Sequence, residues 1–146
     1  MENVSSASGF SVGALSTELT VLLLACILAF VHLFAAAGAI TKERGTKWNA
    51  GPRDDVMPPP GALAGRLDRA FRNFLETFPI FAVAVLVATI ANRTNGQTAL
   101  GAQLYLGARI LYLPIYAAGV PYARSLAWGV ALLGIILVLI GAFTPA

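Results

Sequence analysis

Two long stretches without a charged residue constrain this chain more than any other feature of its sequence. Asp, Glu, Lys and Arg are absent from Leu19 to Thr41, a run of 23 residues, and from Ser125 to the C-terminus, a run of 22 residues. An α-helix needs about 20 apolar residues to cross the hydrocarbon core of a bilayer. Each run therefore predicts a membrane-spanning helix.

The composition extends this conclusion to the whole chain. Apolar residues make up 58% of the sequence and charged residues only 12%, against roughly a quarter charged in an average soluble domain. The net charge of +3 does not indicate a nucleic-acid ligand, because the basic residues flank apolar segments and so reflect membrane topology. We expect an integral membrane protein with no nucleic-acid partner.

The apolar segments and the polar turns between them predict an all-α membrane protein, a four-helix transmembrane bundle in a single domain of residues 1–146. Thr41 to Pro60, rich in Gly and Pro, is the one substantial loop. The helices are expected at residues 15–40, 62–92, 97–118 and 125–142.

Two features bear on how these helices are shaped and packed. Pro79 lacks an amide hydrogen and clashes with the carbonyl four residues back, so a kink is expected just after Glu76. Gly134 and Gly141 recur at a helix-packing interval in the fourth helix. Such small residues predict a close approach of the helix backbones.

The positive charges are unequally divided between the two membrane sides. Arg93 alone marks the side where the N-terminus bears Glu2 and Glu18. By the positive-inside rule, loop one, which is Thr41 to Pro60, and loop three, between the third and fourth helices, are cytoplasmic. Both termini then lie outside. The first apolar run is longer than a signal-peptide core, so the first helix is expected to be retained. The basic residues of the cytoplasmic side are Lys42, Arg44, Lys47, Arg53, Arg66, Arg69, Arg72 and Arg124.

The second helix begins with a stripe of polar side chains. Arg69, Arg72, Asn73 and Glu76 fall at i, i+3, i+4 and i+7, so they share one helix face. Polar groups entering a bilayer are expensive unless they are paired, hydrated or turned towards another helix, which makes the stripe a candidate functional site. The alternative is that both arginines reach lipid phosphates while Glu76 pairs with Arg72.

A second polar face, on the third helix, favours the functional interpretation. Arg109, Tyr112 and Tyr116 fall at i, i+3 and i+7. Arg109 lies inside a span, where an unpaired charge costs ~2.5 kcal/mol or more, and Glu76 is its candidate carboxylate partner. The tyrosines have an alternative role as interfacial aromatics. Arg124-Ser125 follows at the start of the fourth helix, on the same membrane side.

Two residues of the first helix carry no predicted chemistry. His32 is the only histidine and has no carboxylate within a turn, so we expect no metal site and a hydrogen bond to a neighbouring helix instead. Cys26 is the only cysteine, and we interpret it as a small buried hydrophobe.

The polar stripe suits one class of ligand. Guanidinium binds carboxylate in a bidentate fork, and a glutamate accepts from an ammonium group. A small zwitterion bearing carboxylates and an amine is therefore expected, and glutathione fits that description. A further arginine near its sulfur would lower the thiol pKa and hold the nucleophilic thiolate. Arg124 is placed for that role.

At these residues the chain resembles the MAPEG superfamily, the membrane-associated proteins of eicosanoid and glutathione metabolism. The resemblance covers nearly the whole chain and includes the motif Arg69-Ala-x-Arg72-Asn73-x-x-Glu76-Thr77-x-Pro79. It implies a homotrimer of four-helix subunits that binds glutathione, as co-substrate, between neighbouring subunits near the cytoplasmic face. It puts four residues on the glutathione backbone, two tyrosines beside it and two residues near the sulfur: Arg69, Arg72, Asn73 and Glu76, then Tyr112 and Tyr116, then Arg124 and Ser125. Arg109, on the same helix face as the tyrosines, is also predicted to bind.

The details of the resemblance narrow the expected function. The segment Gly51-Pro-Arg53-Asp54-Asp55 is similar to the bacterial branch, which implies a bacterial inner membrane. Tyr112 and Phe71 stand where the prostaglandin synthase branch has His. The leading hypothesis is a glutathione-dependent transferase or peroxidase acting on lipophilic electrophiles from the bilayer. The alternatives are a non-catalytic lipid-binding or scaffolding member and a small channel or transporter, which would need polar residues along a whole path across the membrane.

Overall fold

The computed structural model describes residues 15–144, and every regular element in that range is a helix. The predicted all-α class is confirmed, whereas the predicted position of Glu2 lies outside the described residues. Four long helices and one short helix follow one another along the chain. They are α1 (Thr17–Arg44), α2 (Thr46–Ala50), α3 (Ala62–Ile90), α4 (Gly96–Ala118) and α5 (Ala123–Phe143).

Three of the long helices, α1, α3 and α5, are long and apolar enough to cross a membrane. Large apolar side chains cover their outer surfaces, as Phe34 on α1 and Ile90 on α3 do. In water so extensive an apolar surface would be a liability, whereas lipid solvates it. The protein is therefore an integral membrane protein. α4 does not meet this measure, since Gln103, Arg109 and three tyrosines interrupt its apolar sequence.

The helix boundaries lie close to the predicted ones, with three differences. α1 continues to Arg44, since no Gly or Pro lies between Ile40 and Gly45, whose φ of +85° ends the helix. α2 forms inside the predicted loop. α3 ends at Ile90, and Asn92 adopts a left-handed φ of 53°. α3 is a continuous helix through Pro79.

The closest helix contact is between α4 and α5, and glycines make it possible. A Cβ added at Gly101 would lie 2.6 Å from the Gly134 carbonyl oxygen, and a Cβ at Gly134 would lie equally close to the Gly101 carbonyl oxygen. A Cβ at Gly141 would lie 2.8 Å from the Thr98 side chain. The predicted close approach of backbones at Gly134 and Gly141 is therefore confirmed.

The four long helices share one apolar core. The rings of Phe81 on α3 and Tyr105 on α4 stack with their centroids 4.0 Å apart. Ala25 of α1 and Val138 of α5 are fully buried in the same cluster. All four helices contribute to it, so the core fixes the position of α3 relative to α4.

Side-chain hydrogen bonds fasten the end of the molecule at which α4 begins. The Asn95 side chain accepts from the Gln97 and Thr98 amides at 3.0 and 3.1 Å, which caps α4. Its Nδ2 also donates to the Gly141 carbonyl of α5 at 2.9 Å. The Thr98 hydroxyl donates to the buried Glu18 carboxylate of α1. These bonds tie α1, α4 and α5 together.

At the opposite end, the loop of residues 45–61 is held back against α1. The Gly61 amide donates to Glu43 Oε2 at 2.9 Å, and Arg44 Nη2 donates to the Pro58 carbonyl at 3.0 Å. The Trp48 ring lies near the guanidinium carbons of Arg44 and Arg53, at 4.5 and 5.2 Å. The far part of the loop is therefore fixed next to the end of α1.

Candidate functional site

Seven of the nine predicted site residues line one cavity of about 250 Å³, at the end of the molecule where α3 and α5 begin. We call it the Arg124 cavity. An adjoining cavity of about 150 Å³ shares Asn73, Tyr112 and Arg124 with it and adds Ser125 and Trp128. The residues around the Arg124 cavity are Arg69, Arg72, Asn73, Glu76, Tyr112, Tyr116 and Arg124.

The first turns of α3 supply four of these side chains, because their spacing puts them on one helix face. Arg69 Nε donates to the Tyr116 hydroxyl of α4 at 3.2 Å. Asn73 Nδ2 donates to Glu76 Oε2 at 3.3 Å. The polar stripe therefore faces α4 and carries a hydrogen-bond network of its own.

Arg109 lies behind the cavity wall, fully buried, and not on its surface. Its Nη1 donates to Asn73 Oδ1 at 2.8 Å, and its Nη2 donates to the Thr77 hydroxyl. The rings of Tyr105 and Tyr112 lie 5.7 and 5.2 Å from its guanidinium carbon. Neutral oxygens and aromatic faces thus surround the charge.

The predicted pairing of Arg109 with Glu76 is therefore wrong. α4 is rotated so that Arg109 meets Asn73 and Thr77, whereas Glu76 is exposed at the cavity. Asn73 connects the two, because its amide oxygen accepts from Arg109 and its amide nitrogen donates to Glu76. One orientation of the amide satisfies both charged neighbours, so Arg109 fixes how Asn73 faces the cavity.

Arg72 pairs with Asp68 and not with Glu76, the partner that the lipid-contact alternative expected. Its Nε lies 2.9 Å from Asp68 Oδ2, one helical turn earlier, and its side chain is 74% exposed. An exposed pair of this kind is worth ~0–1 kcal/mol. An anionic ligand can therefore compete with Asp68 for Arg72.

Arg124 and Ser125 belong to the first turn of α5, which begins at Ala123. The guanidinium carbon of Arg124 lies 5.0 Å from the centre of the Tyr116 ring. Within residues 15–144, no Asp or Glu lies within salt-bridge distance of Arg124. Its charge is thus free to act on a bound anion. The amides of a first helical turn also favour negative charge there.

The site includes two residues that the sequence analysis did not select. Arg66 lines a third cavity, of about 330 Å³, which shares Arg69, Tyr116 and Arg124 with the Arg124 cavity. Its Nη1 donates to the Ala117 carbonyl at 3.2 Å. Arg66 lies three residues before Arg69, so the helical spacing was a signal for it. Trp128 of the adjoining cavity stands three residues after Ser125, a weaker signal.

Gly119 allows Arg66 to approach the end of α4. It caps the helix with a left-handed φ of 75°. A Cβ there would lie 2.6 Å from the Arg66 guanidinium carbon. The left-handed backbone conformation therefore favours glycine, and a larger residue would also displace the Arg66 side chain.

The electrostatic character of the Arg124 cavity follows from its lining. Three arginines and one glutamate surround it, with two tyrosines and an asparagine between them. The net charge is positive, yet one carboxylate is available for a cation. The arrangement suits an anionic ligand that also carries an amine.

Two expectations for the first helix are wrong: the hydrogen bond of His32 and the burial of Cys26. His32 is fully buried, but its ring nitrogens have no hydrogen-bond partner among the described residues. Its ring packs against Phe74 of α3 instead, with 4.8 Å between the centroids. Cys26 is partly exposed and not buried.

Comparison with known proteins identifies one family. The family model described as "MAPEG family" matches residues 21–144. The match includes all nine predicted site residues. No curated protein matches the chain.

Proposed function

The chain belongs to the MAPEG family, and from this membership we propose a membrane-bound, glutathione-dependent transferase or peroxidase that acts on lipophilic electrophiles. The observation that carries the proposal is the convergence of three arginines, one glutamate and two tyrosines on the Arg124 cavity. In this proposal α4 is the fourth span of a transmembrane bundle. Loops one and three are cytoplasmic, and the membrane is a bacterial inner membrane.

Glutathione is complementary to the cavity. It has two carboxylates, one ammonium group and one thiol. Arg69 and Arg72 offer forked donors for the carboxylates, and Glu76 accepts from the ammonium group. Asn73, held by Arg109 Nη1 at 2.8 Å, presents a fixed amide between them. Tyr112 and Tyr116 form the wall beside the peptide.

Arg124 stabilises the thiolate. A free cysteine thiol has a pKa of about 8.5, so only a few per cent of it is ionised at neutral pH. A guanidinium without a carboxylate partner, in the first turn of a helix, favours the ionised form and lowers that pKa. Ser125 in the same turn adds a hydroxyl donor to the sulfur.

The transfer reaction then needs no other catalyst. The thiolate attacks an electrophilic carbon, a sulfur–carbon bond forms, and the leaving group departs with its electron pair. With a hydroperoxide, the thiolate attacks oxygen and the oxygen–oxygen bond breaks, leaving a sulfenic acid and an alkoxide. The alkoxide takes up the proton that the thiol released and becomes an alcohol. A second glutathione reduces the sulfenic acid to glutathione disulfide and water.

The substrate approaches from the lipid. Trp128, 39% exposed, lies in the adjoining cavity with Ser125 and Arg124. An apolar electrophile dissolved in the bilayer would reach the sulfur along this side. In the homotrimer that we propose, glutathione lies between neighbouring subunits, and apolar surfaces of the long helices are buried in the contact.

A non-catalytic lipid-binding or scaffolding role is the second candidate. The observation that favours it is an apolar groove of about 510 Å³ between α3 and α5, whose lining includes Pro79, Val83, Leu139 and Phe143. The groove has the character of a site for an acyl chain. Lipid binding in this groove does not require the polar residues of the Arg124 cavity. The enzymatic role therefore predicts formation of a glutathione thiolate, whereas the scaffolding role does not.

Glutathione titration of the purified protein tests the proposal, with ultraviolet absorbance reporting thiolate. We expect saturable absorbance at neutral pH and turnover of a lipophilic electrophile. S-methylglutathione, which has no ionisable thiol, should compete without producing the signal. Arg93→Ala, a change at the opposite end of α3, is the matched control. Binding without thiolate would favour the scaffold, and the absence of binding would refute the glutathione site.

A further inference from the structure

Three buried nitrogen atoms near the site have no hydrogen-bond partner within residues 15–144. They are Nδ1 and Nε2 of His32 and Nε of Arg109. Both residues are 0% exposed. A buried polar group left unpaired costs ~1–3 kcal/mol, so three such atoms in one region require a physical explanation.

The two side chains meet beside the same turn of α3. His32 packs against Phe74, while Arg109 holds the residues at positions 73 and 77 of the same helix. α1, which carries His32, also packs against α4, which carries Arg109. An imidazole nitrogen can accept a hydrogen bond, and Arg109 Nε–H can only donate. The chemistry of the two groups is thus complementary.

We propose that His32 is a positioning residue for the Arg124 cavity, which shares one buried water with Arg109 Nε–H and so fixes the guanidinium that holds Asn73. A buried water of this kind typically makes about three hydrogen bonds to polar groups that would otherwise be unpaired. It accepts from Arg109 Nε–H and donates to the unprotonated ring nitrogen of His32, and so pairs two of the three atoms.

The guanidinium is then held at all three of its nitrogens. Nη1 donates to Asn73, Nη2 donates to Thr77, and Nε donates to the water. Without His32 the guanidinium loses its third attachment and can rotate. Asn73 would then lose its fixed orientation towards Glu76. The expected change in glutathione affinity rests on the proposed function, whereas the link between His32 and Arg109 does not.

Two variants of the full-length protein test the link. His32→Leu removes both ring nitrogens at similar volume, and His32→Gln keeps a polar group in their place. In protein labelled with ¹⁵N-arginine, the Nε–H signal of Arg109 is assigned by its absence from Arg109→Lys. We expect this signal to shift and to exchange faster with water in His32→Leu, and to stay near its wild-type position in His32→Gln. His32→Met is the second apolar variant should His32→Leu not fold.

Glutathione affinity provides the second readout. We expect His32→Leu to raise the Kd about tenfold, the effect of one lost hydrogen bond to a charged group, and His32→Gln to restore most of the affinity. Thermal stability should also fall, because the water on Arg109 Nε–H loses its acceptor, so a control of reduced stability alone is needed. In an Asn73→Ala background, His32→Leu should have no further effect on the Kd.

Leu22→Ala is the matched control on α1. Leu22 is buried in the apolar core, so its truncation should lower the melting temperature without changing the Kd or the Arg109 signal. An unchanged Arg109 signal in both apolar His32 variants would overturn the proposal. So would a Kd that rises equally in Leu22→Ala. If the wild type binds no glutathione but the Arg109 signal responds to His32, the proposed function fails and the positioning role stands.

Discussion

A single arginine charge in the interior controls the site at the residue scale. Arg109 is fully buried, and no carboxylate among the residues described lies within salt-bridge distance of it. Amide and hydroxyl oxygens from α3 and two tyrosine rings stabilise the charge instead. Glu76, which would have been neutralised by a pair with Arg109, stays available at the cavity.

Replacing Arg109 with lysine tests the role of the guanidinium fork. Lysine keeps the charge, but a single ammonium cannot reproduce the planar fork that reaches Asn73 and Thr77 together. Each lost hydrogen bond to a charged group is worth ~1.5–3 kcal/mol, so we expect a destabilisation of about that size. Unfolding in detergent measures it. Arg93→Lys, at an exposed position, should unfold like the wild type.

Substitutions at three residues of α3 distinguish the side chains expected to contact the ligand from the one that only pairs with Arg72. Arg72→Ala and Glu76→Ala should each weaken glutathione binding by ~1.5–3 kcal/mol while the proposed homotrimer stays assembled. Asp68→Ala releases Arg72 from its pair and should tighten binding by at most ~1 kcal/mol. Titration calorimetry and size-exclusion chromatography provide the two measurements. Dissociation of the Arg72 and Glu76 variants would show that the stripe is a structural network.

Arg124 is the residue at which binding and catalysis should separate. Arg124→Ala should still bind glutathione through α3 but lose thiolate absorbance at neutral pH, since the thiol pKa returns towards about 8.5. Below that pKa the thiol stays protonated, so turnover should recover only as the pH rises towards it. Arg124→Lys should restore part of the signal. Full thiolate formation in Arg124→Ala would assign the role to another residue.

Which residues share the site could be predicted, but some of their partners could not. The period of a single helix places Arg69, Arg72 and Glu76 on one face, and that property needs no tertiary information. The partner of Arg109 depends on how α4 is rotated against α3. The core fixes that rotation through contacts between helices, such as Phe81 of α3 with Tyr105 of α4, which the period of a single helix does not reveal.

At the scale of elements, the contact between α4 and α5 aligns the two halves of the site. α4 supplies the tyrosines and α5 supplies Arg124, so their spacing sets the distance from the cavity wall to the cation. Gly101 and Gly134 bring the two backbones into contact. Sequence spacing predicted that Gly134 packs closely. The boundary of α1 was harder to predict, because its last turn continues into polar residues up to Arg44.

Two glycines of α5 provide a matched pair for testing this contact. Gly129→Ala meets no atom within 4 Å, so it should be neutral or stabilise the helix by up to ~1 kcal/mol. Gly134→Ala brings a Cβ to 2.6 Å from the Gly101 carbonyl oxygen, and we expect a loss of ~1–3 kcal/mol from overpacking. Melting temperatures in detergent compare the two. Equal stability of both variants would contradict the tight contact.

At the scale of the whole molecule, charge is concentrated at one end and apolar surface covers the long helices. The basic end carries the loop of residues 45–61 and all three cavities lined by Arg124 or Arg69. The other end is tied by Asn95 and Glu18. The distribution of charge could be predicted from sequence because it needs only the positions of the spans. The cavities could not be predicted in this way, because they depend on how the helices pack against one another.

The membrane orientation can be measured with cysteines at two positions in a Cys26→Ala background. Thr46→Cys marks the loop between α1 and α3, and Thr94→Cys marks the turn before α4 without disturbing the Asn95 cap. By the positive-inside rule, an impermeant reagent added to intact cells should label Thr94→Cys and leave Thr46→Cys unlabelled. Equal labelling of the two from outside would disprove the orientation.

The hydrogen bonds that Glu43 and Arg44 make to the loop have a consequence for proteolysis. A protease that cuts at the exposed residues 53–56 would leave one fragment with α1 and α2 and another with α3 to α5. These hydrogen bonds hold Gly61 and Pro58 against α1, and α1 also packs along α3. The two fragments should therefore remain bound to each other. Every side chain that lines the Arg124 cavity belongs to the second fragment. α1 would then act as a non-covalent subunit that still brings His32 to Phe74.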